Sequence, residues 1–166
     1  MTDFSKTLHN PRLRLAVLIL AAGEGSRLGG YPKALLQKDG NSLLGRLCKS
    51  VQAQSPVETL VMTGFYKEQI EQEIQLINRQ HQVQMTCVNN PKPEAGQSSS
   101  VRLGLEALKD HYDALLIALC DQPNIGVSEI EALLEQFNQA GFNQEIVLPK
   151  VNGSRGNPVL FSRRAI

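Results

Sequence analysis

The hydrophobic residues of this chain fall into short, largely apolar runs separated by longer stretches with helical spacing. The runs at 15–21, 57–62, 113–119 and 146–150 predict strands, and the partly alternating run at 83–88 predicts a strand nearer an edge. A further short extended piece is expected at 158–161. Runs without polar alternation suit strands that are covered on both faces, as in a parallel sheet.

Apolar residues at helical spacing predict four helices between these strands. Asn41 or Ser42 can cap the first helix, and three isoleucines form the buried stripe of the second. The third covers 98–109, and the fourth opens with a capping box of Ser128 and Glu131. Strands that alternate with helices predict an α/β protein, a three-layer α/β/α sandwich around a Rossmann-like, mainly parallel sheet.

The composition fits one ordinary globular domain. The chain has 166 residues, 42% of them hydrophobic and 20% charged, and its net charge of +1 gives no case for nucleic-acid binding. No apolar run reaches membrane-spanning length, and the polar start lacks the apolar segment of a signal peptide. Three cysteines without metal-ligand spacing fit a reducing cytoplasm. We expect residues 1–14 to form a mobile N-terminal arm and 15–166 to form a single domain.

The stretch 20–33 carries the strongest chemical signal, because a glycine-rich loop follows the first apolar run. Glycines let the backbone adopt positive φ and approach a ligand, and their N–H groups can form an anion-binding nest. Arg27 and Lys33 add two cations to the loop, which indicates a polyphosphate ligand. The loop lacks the Lys-Ser or Lys-Thr of a P-loop, and Leu28 breaks the dinucleotide pattern G-x-G-x-x-G.

Two later polar segments should meet the glycine loop at one edge of the sheet. The first, 96–105, has consecutive serines at a predicted helix start, where spare N–H groups and hydroxyls can hold a ligand. In the second, Asp121 stands just after the strand 113–119 and ahead of Pro123. A carboxylate at that place can hold Mg²⁺, which would bridge triphosphate oxygens.

Four motifs stand in order along the chain: L-A-A-G-x-G-x-R with a following P-K (20–33), G-Q-S-S-S-V-R-x-G-L (96–105), D-Q-P (121–123) and G-S-R-G-N-P-V-L-F (153–161). Together they resemble the MobA-like NTP transferase (nucleotidyltransferase) superfamily and, within it, the molybdenum cofactor cytidylyltransferase group. Guanylyltransferase relatives typically read L-A-G-G in the first motif, so Ala22 implies CTP over GTP. The resemblance implies a fold of the nucleotide-diphospho-sugar transferase type.

The resemblance also implies roles for the motif residues. Arg27 and Lys33 would stabilise the negative charge that grows on the triphosphate in the transition state. Asp121 would hold Mg²⁺, or Mn²⁺ in its place, and Arg155 and Asn157 would lie by the phosphate of the pterin acceptor. The nucleotide-binding residues would be Leu20, Ala21, Ala22, Gly23, Gly25, Ser26, Gly96, Ser99 and Ser100.

The expected reaction transfers CMP from CTP to the phosphate of molybdenum-molybdopterin and releases pyrophosphate, and a molybdoenzyme that receives the product is an expected partner. Two alternatives stay open. One is a related nucleotidyltransferase that acts on GTP or on a sugar or alditol phosphate. The other is a truncated, inactive nucleotide-binding module, because the family usually continues to a second metal-binding Asp and this chain is expected to lack that C-terminal segment.

Overall fold

The structure, a computed structural model, describes residues 13–25, 29–109, 111–141 and 144–166. Its strands are β1 (Leu15–Leu20), β2 (Gln37–Lys38), β3 (Asn41–Ser42), β4 (Glu58–Thr63), β5 (Thr86–Asn89), β6 (Ala114–Leu119), β7 (Ile146–Val147), β8 (Lys150–Val151), β9 (Ser154–Arg155) and β10 (Val159–Ser162). Its α-helices are α1 (Leu43–Gln52), α2 (Lys67–His81), α3 (Gln97–Ala107) and α4 (Val127–Ala140).

Six of the strands form one mixed, mostly parallel sheet in the order β5-β4-β1-β6-β10-β7. The first four run parallel, with Leu18 of β1 opposite Leu60 of β4 and Ile117 of β6. β10 enters antiparallel between β6 and β7. Because β1 lies inside the sheet, all of its residues are buried, which explains an apolar run without polar alternation.

Helices cover both faces of the main sheet. Val17 and Ile19 of β1 belong to the core that includes α1, α2 and α4, whereas Leu18 belongs to the core under α3. α3 approaches the sheet closely, since a Cβ on Gly104 would lie 2.5 Å from a methyl carbon of Leu18. The predicted three-layer sandwich around a mainly parallel sheet is therefore confirmed.

Of the two helix caps predicted from the sequence, one is correct. Ser42 caps α1 as expected, because its hydroxyl oxygen accepts a first-turn backbone N–H at 2.9 Å. The predicted capping box of Ser128 and Glu131 is wrong. α4 starts earlier, and the carboxylate of Glu129 accepts the backbone N–H of Gly126 at 2.8 Å.

The predicted strand at 146–150 is wrong in extent. Only β7 joins the main sheet, while β8 pairs with β9 in a separate hairpin. Asn152 and Gly153 form the tip of this hairpin with φ of 50° and 80°, and this turn reverses the chain between β8 and β9. The strand predicted at 83–88 corresponds to the shorter β5, which lies at the sheet edge as expected.

The expected N-terminal arm lies outside the described residues as far as residue 12. Arg14, at the end of that segment, forms an ion pair with Asp113 at 2.8 Å. Among the helices in the described ranges, none is long and apolar enough to cross a membrane.

Candidate active site

A cavity of about 560 Å³ lies at the carboxyl ends of β1 and β6. Ligands of open α/β sheets bind at this edge, where the loops after parallel strands converge. Nine of the residues singled out from the sequence line the cavity, and they are Leu20, Ala21, Ala22, Gly23, Gly25, Lys33, Gly96, Ser100 and Asp121. The fold therefore brings the three predicted loops to one place.

The glycine loop forms one wall of this cavity. Gly25 has a φ of 63°, and a Cβ at this position would collide with the carbonyl oxygen of Tyr31. The hydroxyl of Tyr66 donates to the carbonyl oxygen of Glu24 at 2.8 Å and ties the loop to the start of α2. The conformation of the loop at position 25 thus requires glycine.

Lys33 and Asp121 lie beside each other in the lining of the cavity. Lys33 opens the short 3₁₀ helix Lys33–Leu35, and Asp121 stands just after β6. The Nζ of Lys33 lies 3.7 Å from Oδ2 of Asp121, which is too long for a hydrogen bond. Because 36% and 40% of the two side chains is exposed, both groups can contact a ligand. An ammonium suits phosphate oxygens, and a carboxylate suits a divalent cation.

The amino-terminal end of α3 forms another wall. Gly96 caps this helix with a φ of 91°, and Ser100, only 2% exposed, lines the cavity. Asn90, also 2% exposed, donates from its side-chain amide to the hydroxyl oxygens of Ser99 and Ser100 at 2.8 and 2.9 Å. Buried hydrogen bonds between neutral groups therefore organise this wall.

Close packing at Gly64 joins the two walls. Gly64 follows β4, and a Cβ on it would lie 2.8 Å from the Cβ and the carbonyl oxygen of Ala22 and from the Cβ of Pro93. Any side chain here would push the glycine loop away from the loop before α3. The width of the cavity therefore depends on glycine at this position.

Cys120 precedes Asp121 and also lines the cavity. Burial, together with the neighbouring Asp121 carboxylate, raises the pKa of the Cys120 thiol to about 12. The thiol stays neutral near pH 7, because a thiol ionises only near its pKa. Cys120 therefore contributes packing and no thiolate nucleophile.

Several predicted residues do not line the cavity. The hydroxyl of Ser99 donates to the carbonyl oxygen of Gly96 at 2.7 Å, within the loop itself. Arg155 in β9 and Asn157 beyond it also lie outside the cavity lining. Ser26 and Arg27 fall outside the described residues, so the roles expected for them stay predictions.

The sequence analysis did not assign a role to other lining residues, among them Glu24, Phe65, Glu94 and the motif residue Gln97. Phe65 comes shortly after β4, so the rule that located Asp121 after β6 could have found it. Phe65 is 43% exposed and offers an aromatic surface to a ligand. Glu24 and Glu94 lie in the predicted loops but carry no motif signal.

The carboxylates of this cavity suit a divalent cation that the substrate helps to hold. In the described ranges no group of three or more His, Cys, Asp or Glu side chains could hold a metal by itself. Mg²⁺ is commonly bound through one or two carboxylates, with waters and substrate phosphates completing the shell. The exposed carboxylate of Asp121, at a strand end beside the glycine loop, fits that mode.

The architecture and this cavity define an α/β nucleotidyltransferase-type protein. The chain matches the MobA-like NTP transferase domain over residues 17–166, and it belongs to that family.

A curated relative is the bifunctional protein GlmU of Prochlorococcus marinus, to which the chain is 25% identical over 148 residues. The match covers 89% of this chain and 31% of that protein, so the chain spans about a third of the length of this relative.

Two solved structures show the same fold. The 4-diphosphocytidyl-2C-methyl-D-erythritol synthase of Anaerococcus prevotii has a TM-score of 0.67 at 13% identity. The match covers 92% of this chain and 71% of the synthase chain. Rv0371c of Mycobacterium tuberculosis, in complex with manganese, has a TM-score of 0.65 at 17% identity, covering 91% and 72%. The nucleotide-diphospho-sugar transferase type of fold agrees with these neighbours.

Proposed function

We propose that this protein is a nucleotidyltransferase that transfers CMP from CTP to the phosphate of molybdenum-molybdopterin and releases pyrophosphate. Family membership supports the reaction class. The observation that carries the proposal is the position of Lys33 and Asp121, 3.7 Å apart, in the cavity that the glycine loop also lines. This arrangement pairs a cation for phosphate oxygens with a carboxylate for a metal ion.

In the proposed reaction an oxygen of the acceptor phosphate attacks the α-phosphorus of CTP in line. The new P–O bond forms as the bond to the β-phosphate oxygen breaks, and that electron pair leaves with pyrophosphate. The acceptor phosphate is already ionised near neutral pH, so no general base is needed. The ammonium of Lys33 would stabilise charge growing on the triphosphate, and Arg27 is proposed to act with it.

Asp121 would hold Mg²⁺ or Mn²⁺ together with triphosphate oxygens. When bound, such an ion neutralises the charge of the leaving pyrophosphate. The glycine loop would place its backbone N–H groups against the same phosphates. The Mn²⁺ complex of the Mycobacterium tuberculosis neighbour supports a divalent metal in this fold.

The choice of CTP over GTP rests on Ala22, which stands where guanylyltransferases of the family typically carry glycine. Ala22 lines the cavity, and its Cβ would lie 2.8 Å from a Cβ added to Gly64. The cytidyl group in the printed name of the Anaerococcus prevotii neighbour also favours a cytidine nucleotide. We propose a cytoplasmic reaction, consistent with three free cysteines.

Pyrophosphate release tests this proposal. The protein is incubated with Mg²⁺, molybdenum-molybdopterin and each of CTP, GTP, UTP and ATP in turn, with Asp121→Asn as the matched control. We expect CTP to give the fastest release and the variant to give almost none. A clear preference for GTP would contradict the proposed nucleotide.

A sugar or alditol phosphate is the second candidate acceptor. It is favoured by the erythritol product named for the Anaerococcus prevotii neighbour. Replacing the pterin by such phosphates in the same assay separates the two, because only the true acceptor supports turnover. Tight CTP binding with no turnover on any acceptor would instead favour the inactive nucleotide-binding module.

A further inference from the structure

Asn90 is a buried amide that contacts no part of the proposed chemistry directly. It follows β5, its backbone N–H donates to the carbonyl oxygen of Thr63 at 2.8 Å, and its residue surface is 2% exposed. Its Nδ2 donates to Ser99 Oγ at 2.8 Å and to Ser100 Oγ at 2.9 Å. Both amide hydrogens are therefore used on serine hydroxyls of α3.

The orientation of this amide is fixed by a third contact. The Oδ1 of Asn90 accepts the backbone N–H of Lys92 at 2.9 Å. A backbone N–H can only donate, so the atom facing it must be the oxygen, and the NH₂ group must face the serines. The direction of the two serine contacts follows from this geometry.

Each serine hydroxyl therefore accepts from Asn90 and has a single hydrogen left to donate. Ser99 donates its hydrogen to the carbonyl oxygen of Gly96 at 2.7 Å. For Ser100, no acceptor of its hydrogen is found among the hydrogen bonds of the described residues. Ser100 lines the cavity, so its hydrogen is available to a ligand there.

We infer that Asn90 is a positioning residue that makes the Ser100 hydroxyl a hydrogen-bond donor toward the nucleotide base. This inference rests on the proposed function, which puts a nucleotide in the cavity. A donor at this place selects a base edge that presents acceptors. Cytosine offers such acceptors at O2 and N3, so a donating hydroxyl suits the proposed nucleotide.

Asn90→Asp tests the inference by inverting polarity with little change in shape. The aspartate can still accept from Lys92, but it lacks the two amide donors, so the serine hydroxyls turn to donate to the carboxylate. Ser100 then presents lone pairs to the base. We expect the Kd of CTP, measured by calorimetry with Mg²⁺, to rise about tenfold, while the affinity for inorganic triphosphate stays unchanged.

A double-mutant cycle shows whether Asn90 acts through Ser100. Ser100→Ala should weaken CTP about as much as Asn90→Asp does, and the double variant should add less than about twofold. Ser98→Ala is the matched control, since Ser98 lies in the same turn of α3 but is exposed and does not line the cavity. It should bind CTP like the wild type.

Each outcome decides one of the two proposals. If Ser100→Ala or folded Asn90→Asp binds CTP within about twofold of the wild type, the inference is overturned and the proposed function stands. Additive effects in the double variant, or equal losses for inorganic triphosphate, would overturn it as well, because Asn90 would then act on folding alone. If the wild type binds no nucleotide, the proposed function fails and the inference fails with it.

Discussion

Two aspartates bracket β6, and the structure treats them in opposite ways. Asp113, before the strand, accepts from the guanidinium of Arg14 at 2.8 and 3.2 Å and from the Arg14 backbone N–H at 2.9 Å. Asp121, beyond the other end, forms no hydrogen bond found among the described residues, and the ammonium of Lys33 lies 3.7 Å from it. One carboxylate is satisfied by the protein, whereas the other keeps most of its acceptor capacity.

The difference shows how one strand can serve stability at one end and ligand binding at the other. An arginine matches a carboxylate with two parallel bonds and leaves it little to offer a ligand. A lysine at 3.7 Å acts as a point charge that can turn toward phosphate. The hydrogen bond from the Arg14 side chain holds the pKa of Asp113 below its usual range, because it stabilises the ionised carboxylate.

Asp121→Asn should have the largest effect on activity. It removes the exposed carboxylate of the proposed metal site, so we expect kcat/KM to fall by about 100-fold or more and the Mg²⁺ titration to shift to higher concentration. Pyrophosphate release at varied Mg²⁺ measures both changes. Asp113→Asn, at the other end of β6, is the control and should keep activity within about twofold. Equal losses of activity in the two variants would contradict the different roles assigned to the two aspartates.

Lys33→Met should lower kcat by about tenfold or more and change CTP binding less. The reason is that the charge it meets grows in the transition state. Single-turnover kinetics and equilibrium binding separate the two quantities. Lys109→Met, an exposed lysine after α3 and outside the cavity, provides the matched control. Equal losses of kcat and of CTP affinity would show that Lys33 contributes to substrate binding and not specifically to the transition state.

Gly64→Ala tests whether close packing at Gly64 stabilises the carboxyl edge of the sheet, where the cavity lies. The added methyl would lie 2.8 Å from atoms of Ala22 and Pro93, so we expect the free energy of unfolding to fall by about 1–3 kcal/mol. Chemical denaturation measures this change. Gly23→Ala is the control, because a Cβ there meets nothing within 4 Å. Similar stability of the two variants would show that the walls move apart without strain.

The Arg14–Asp113 pair should produce a small, pH-dependent effect on stability. The pKa of Asp113 in the folded protein lies below its unfolded value of about 3.9. The ionised carboxylate therefore adds to the free energy of unfolding above about pH 3.9, and this contribution is lost as the pH falls through the folded pKa. Asp113→Asn should therefore lose less stability than the wild type between about pH 5 and 3. Unfolding midpoints across this range measure the difference, and parallel curves would contradict it.

Much of the parallel half of the molecule could be predicted from local pattern. The run at 15–21 has no polar alternation, which suits a strand covered on both faces, so β1 and its largely buried neighbours β4 and β6 were expected. The carboxyl-edge rule then placed Lys33 and Asp121 in one crevice. In that sense the identity of the loops that line the cavity was contained in the sequence.

The C-terminal part was predicted less well. The sequence predicted one strand at 146–150, yet β8 leaves the main sheet and pairs with β9 through the turn at Asn152 and Gly153. The place of β10, antiparallel between β6 and β7, has no local signal either. Strand order depends on which surfaces remain to be covered after the rest of the sheet has formed.

The sequence by itself determined the fold class, the glycine loop and the order of the polar segments, because apolar periodicity and backbone freedom are local properties. Only the tertiary structure decided that Asp113 accepts three hydrogen bonds from Arg14 while Asp121 lies 3.7 Å from Lys33, and that Asn90 orients Ser99 and Ser100. The partners in these hydrogen bonds come from separate segments of the chain, and the fold decides which of them meet. Their choice follows from the packed arrangement of the sheet and its loops, which no stretch of sequence specifies alone.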